Sequence, residues 1–170
     1  MTAQVPEILL YKGHELDMFS TPLGPYLETT QHPIKLDAPD TAMWRGYIGT
    51  WSIDDGRLYL VSLEGNVLGP QGFEKVGLKD LFPNATDGLF AHWFSGELRC
   101  PLGDRLVYRH MGFGSEYEQD LLIKIVRGVV EQEHTVTNGT APKVDAKPPQ
   151  AIYSPPMSGK QTEFDFGDTR

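Results

Sequence analysis

Residues 43–65, MWRGYIGTWSIDDGRLYLVSLEG, decide the fold. Two runs rich in aromatic and β-branched residues flank Asp54, Asp55 and Gly56, and such a triplet suits a tight hairpin turn whose central positions take positive φ. Alternation along the first run puts Tyr47, Gly49, Trp51 and Ile53 on one face and Ile48, Thr50 and Ser52 on the other. The second run sets Leu58 and Leu60 against Tyr59, Val61 and Leu63. Apolar residues on both faces place this hairpin centrally in a sheet that is covered on two sides, or curved into a sandwich or partly open barrel.

Outward from the hairpin, the chain keeps the same character. Residues 7–19, EILLYKGHELDMF, read as two short strands around Gly13 and His14, with Leu9 and Tyr11 sharing one face. Prolines at 22, 25, 33 and 39 limit any helix before Thr41 to about one or two turns, around Tyr26 to Thr30. After Gly65 comes a glycine-rich connection, NVLGPQGFEKVG, and then a short helix over Leu78 to Phe82, ended by Pro83. A strand at Leu89–Leu98 and another at Arg105–Met111 read as a hairpin joined by a turn at Pro101 to Asp104. The last pair, Tyr117–Arg127 and Val129–Val136, breaks at Gly128. A helix over 116–132 also fits the spacing of Leu121, Leu122, Ile125 and Val129, but the β-branched content and Gly128 favour strands.

The expected fold is therefore mainly β: a single antiparallel sheet domain over residues 1–138, with one or two short helices. Residues 139–170 contain five prolines and few aliphatic side chains, too little apolar surface to offset the entropy of ordering, and read as a disordered tail. A chain of 170 residues with 39% hydrophobic and 22% charged residues is ordinary for one globular core. No apolar run approaches the length of a membrane span, and the N-terminus lacks the pattern of a secretion signal, so the expected compartment is the cytoplasm. There the sequons at Asn84 and Asn138 are chance matches.

Charge is unevenly placed. Residues 1–138 hold 11 Lys and Arg against 19 Asp and Glu, a net of −8, whereas residues 139–170 hold four of each. An acidic domain repels nucleic-acid phosphates and favours a basic protein partner.

Candidate chemistry is sparse. The lone Cys100 cannot form an intramolecular disulfide and reads as a small buried hydrophobe. Five histidines, at 14, 32, 92, 110 and 134, do not share helical metal spacing, so no metal site and no cofactor is expected. The best constellation is the expected hairpin carrying His92, Glu97, Arg99, Tyr108, Arg109 and His110, a candidate acid–base site in which both histidines can equally be structural. Arg45 can fork onto a ligand carboxylate or phosphate, or stack on Trp44 and pair with a surface acid. Asp54, Asp55 and Glu64 read as turn and edge residues, and GFGS at 112–115 as a loop.

Three resemblances bear on function. Gly49-Thr50-Trp51 resembles the glycine-x-tryptophan signature of lipocalin and avidin barrels, which implies a small-ligand cavity with Trp51 and Tyr47 as binding candidates. Residues 161–166, QTEFDF, resemble the Gln-x-x-[Leu/Met]-x-Phe pattern of bacterial sliding-clamp-binding peptides, with Phe164 in place of the usual aliphatic residue. This implies tail docking through Phe164 and Phe166. The strings RGYIGTWSIDDGRLYLVSLEG, LFPNATDGLFAHWFSGELRCPLG and YRHMGFGSEYE look like those of a family of small uncharacterised bacterial proteins over residues 7–135, which brings no activity with it.

The functional expectation is a non-catalytic acidic module that binds a protein partner as an adaptor or an immunity-type inhibitor of a toxin. The alternatives are a small enzyme using the His92–His110 hairpin, and a small-ligand barrel.

Overall fold

A computed structural model describes residues 2–141. Nine strands and two short helices follow in the order β1 (Glu7–Tyr11), β2 (His14–Met18), α1 (Leu23–Thr30), β3 (Tyr47–Asp54), β4 (Arg57–Gly69), β5 (Gly72–Gly77), α2 (Leu78–Leu81), β6 (Leu89–Phe90), β7 (Gly96–Val107), β8 (Glu116–Val126) and β9 (Val129–Thr137). All strands belong to one sheet, with β2-β1-β3-β4-β9-β8-β7 in succession and β5 and β6 added to β4. The pairing is antiparallel throughout except between β1 and β3, which run parallel.

The central hairpin forms where its residues demand it. Asp54 opposes Arg57 across a two-residue turn in which Asp55 and Gly56 take φ of 51° and 73°. Positive φ at both positions matches the right-handed twist of the flanking strands. Lys12-Gly13 and Arg127-Gly128 take the same pair of conformations between β1 and β2 and between β8 and β9. Residues 116–137 are thus two strands, as their β-branched content favours.

One face of the sheet curls around a filled interior. Leu9, Met18, Trp51, Leu58, Leu60, Leu98 and Ile123 all have no exposed surface, and each such aliphatic side chain contributes roughly 1.5–3 kcal/mol by leaving water. The two end strands approach each other just beyond β2, where the Phe19 N–H donates to the Arg99 carbonyl at 2.7 Å and the Arg99 N–H donates to Ser20 Oγ at 3.0 Å. No ladder joins β2 to β7, so the sheet is curved and open rather than a closed barrel.

Two expectations need correction. The expected hairpin over Leu89–Met111 is instead a two-residue β6, a turn, and one continuous strand, β7, running through Pro101–Asp104. The glycine-rich segment after Gly65 is a hairpin: β4 continues to Gly69 and β5 returns from Gly72. Between them Pro70 and Gln71 form the turn. The tail expected to be disordered, with Phe164 and Phe166, lies outside the described residues from position 142 onward.

Candidate functional site

The most constrained polar group is Glu7, the first residue of β1. It shares the inward parity of Leu9 and Tyr11, and its side chain has no exposed surface. A buried carboxylate is tolerated only where donors replace its water. Four contacts do so. Arg45 Nε and the Gly49 N–H donate to Oε1 at 3.0 and 2.8 Å, Trp51 Nε1 donates to Oε2 at 2.9 Å, and Arg45 Nη2 stands 2.8 Å from Oε1. Every partner is a donor, which suits the ionised form. Burial raises the Glu7 pKa, while the Arg45 charge and the Trp51 and Gly49 hydrogen bonds pull it back.

This arrangement explains the glycine-x-tryptophan string. A Cβ built on Gly49 would stand 2.6 Å from Glu7 Oε2 and 2.9 Å from Trp51 Nε1, so only glycine leaves room for the carboxylate. Trp51 is wholly enclosed and directs its ring N–H to Glu7. It belongs to the buried core and lines neither of the two clefts that flank α1.

Arg45 is held on several sides. Its Nη2 also donates to the Val5 carbonyl at 2.8 Å, and its guanidinium lies 5.4 Å from the Tyr47 ring centre and 5.9 Å from that of Phe113. The expected stacking on Trp44 and pairing with a surface acid do not occur. Trp44 is exposed, and the acid is buried Glu7. Tyr47 is 2% exposed, and its hydroxyl has no partner among the described residues. Burial and the nearby Glu7 charge push its pKa well above the ordinary tyrosine range, against the opposing charge of Arg45.

Two clefts flank α1, and His32 lines both. The larger, about 460 Å³, lies between α1 and α2 and is walled by Tyr26, Phe82, Leu81, Leu89 and Pro33, with Asn84 and Thr30 supplying polarity. Of its aromatic lining, Tyr26 is backed outside the cleft by Trp93, at 4.0 Å between ring centres and 15° between planes, and Phe82 lies 5.9 Å from Tyr26 with its plane tilted by 32°. The smaller cleft, about 380 Å³, is walled by Leu27, Ile34 and Leu36 and carries Arg45, Tyr47, Lys35, Glu28 and Thr21. His32 itself is a clamp. The Ile34 N–H donates to its Nδ1 at 3.1 Å, which leaves Nε2 as donor to the Leu81 carbonyl at 2.7 Å.

The acid–base constellation expected on one hairpin is dispersed. His92 precedes β7 and His110 follows it, and a strand of this length separates its ends by roughly 30–40 Å. Both histidines are exposed, as are Glu97 and Arg109. His92 lies edge-on to Tyr26 and Trp93, and His110 lies edge-on to Tyr108. Arg109 pairs with Glu116 at 3.0 Å. Arg99 is structural, its three nitrogens donating to Asp120 Oδ1, the Phe113 carbonyl and the Ser115 carbonyl at 2.8–2.9 Å. Cys100 is buried, and burial together with Asp17 and Asp120 pushes its thiol up to about 12. A nucleophilic cysteine needs the opposite shift.

Among the described residues no group of three or more His, Cys, Asp or Glu is placed to hold a metal ion, and no helix is long and apolar enough to cross a membrane. Comparison of the chain with protein-family models, with curated proteins and with solved structures gives no match.

Sequence reasoning missed Glu7 as the organising residue. The signal was present: an acid at the same parity as Leu9 and Tyr11 points inward and requires a cation and donors across the sheet.

Proposed function

We propose that this protein is a non-catalytic binding module acting in the cytoplasm, as an adaptor or an inhibitor, and that it docks a basic protein partner through the cleft between α1 and α2. The observation that carries this reading is that cleft itself, in which Tyr26, Phe82, Leu81 and Leu89 line a recess large enough for one anchor side chain of a partner. Exposed Asp80 in α2 and exposed Asp87 near the cleft residues Ala85 and Gly88 supply negative charge beside it. With a net charge of −8 over residues 1–138, encounter with a cationic partner is accelerated.

This reading is preferred to the small enzyme because His92 and His110 lie at opposite ends of β7, and to the ligand barrel because the sheet is open and Trp51 is enclosed in the core. The test is capture from native lysate with the full chain and two variants. One is the double variant Asp80→Lys, Asp87→Lys; the other is Asn84→Arg, which places bulk and positive charge at the cleft. A single stoichiometric partner of basic composition, released by salt and lost from both variants, is the expected result. Recovery of the chain alone, or a partner retained equally by both variants, overturns the reading.

A further inference from the structure

The smaller cleft is lined by α1 residues together with Ile34, Lys35, Leu36, Arg45 and Tyr47. We propose that it binds a small molecule joining one carboxylate to a short apolar body. Leu27, Ile34 and Leu36 supply apolar lining, and Arg45, Tyr47, Lys35, Glu28 and Thr21 supply polar groups to the same cleft. Pockets of this size with a few converging polar groups are the usual form of a small-molecule site.

The groups available to a ligand follow from those already engaged. Arg45 uses Nε and Nη2 on Glu7 and Val5, and its Nη1 makes no hydrogen bond among the described residues. Tyr47 forms part of the wall, is 2% exposed, and has a hydroxyl without a partner. An unpaired buried hydroxyl is destabilising, and a bound acceptor would satisfy it. Both groups are donors, so the matching head group is an acceptor.

Charge narrows the choice further. Glu7 already balances Arg45, which leaves Lys35 as the additional cation and Glu28 as an opposing anion in the same cleft. With Glu28 offsetting Lys35, the cleft has no surplus positive charge, so a doubly charged phosphate is disfavoured more strongly than a singly charged carboxylate that accepts from Arg45 and Tyr47. A monocarboxylate therefore fits better than a phosphate, and its apolar body lies along Leu27, Ile34 and Leu36.

The experiment titrates octanoate, and separately inorganic phosphate, into the isotope-labelled full chain while amide resonances are followed. Octanoate is expected to shift Ile34, Lys35, Leu36 and Tyr47 saturably, and phosphate to produce no saturable shift there. Tyr47→Phe removes a hydroxyl that has no hydrogen-bond partner among the described residues, and Lys35→Gln alters an exposed side chain, so both variants stay folded. Affinity for octanoate is expected to fall by about tenfold in at least one of them. Absence of saturable shifts with octanoate, unchanged affinity in both variants, or equal binding of phosphate overturns the proposal. None of these results depends on the aromatic cleft, so failure here leaves the protein-docking reading standing.

Discussion

Arg45 Nη2 lies 2.8 Å from Glu7 Oε1, with the glutamate side chain wholly enclosed and the arginine side chain 13% exposed. The contact spans 38 residues of sequence and fastens β1 to the segment that enters β3. Because β1 and β3 pair directly over only Ile8–Leu10, the carboxylate extends their connection to Arg45, Gly49 and Trp51. The same arginine lines the smaller cleft, so the element that secures the N-terminal strand also shapes the candidate binding surface.

Gly49→Ala is expected to destabilise the fold by about 1–3 kcal/mol, since the new methyl falls within 2.6 Å of Glu7 Oε2 and buried neighbours must shift. Urea unfolding of the variant against the native chain measures this. A change within about 0.5 kcal/mol would show that the carboxylate has room to move.

The pH dependence of Glu7 has a definite sign. Burial raises its folded pKa above the unfolded value near 4.5. The associated stability is therefore present below that unfolded value and lost as pH rises through the folded one. Glu7→Gln lacks this titration. The stability gap between native chain and variant should narrow from pH 4 towards pH 8, measured by denaturant unfolding at each pH. A gap that widens with pH would mean that Arg45 and the hydrogen bonds outweigh burial.

Cys100, buried in β7 with its thiol pushed up to about 12, should resist a disulfide reagent at pH 8 in the folded chain and react fully once denatured. Stoichiometric reaction under native conditions at the rate of a free thiol would contradict the packing around it.

Much of the sheet was legible in the sequence because its signals are local. Asp55-Gly56 announces a turn that needs positive φ, and Leu9 with Tyr11, or Tyr47 with Trp51, announce an inward face through period-two alternation. The path of β7 was not legible. Pro101 and Gly103 look like a turn, yet Pro101 falls within the β7–β8 ladder and the register shifts between Leu102 and Arg105 absorb Gly103 and Asp104. The two clefts were hidden for a different reason. Tyr26, His32 and Phe82 are separated by up to 56 residues, and only tertiary packing brings them to one wall.

The account rests on one buried carboxylate holding Arg45, Gly49 and Trp51 in place, and a double-mutant cycle on Glu7 and Arg45 tests it most directly. Arg45→Met leaves an uncompensated buried charge and should cost about 3–5 kcal/mol, whereas Glu7→Met with Arg45→Met removes both charges and should cost clearly less than the sum of the single changes. A coupling of at least about 2 kcal/mol from urea unfolding is the expected result. Additive single effects, with a coupling near zero, would contradict it.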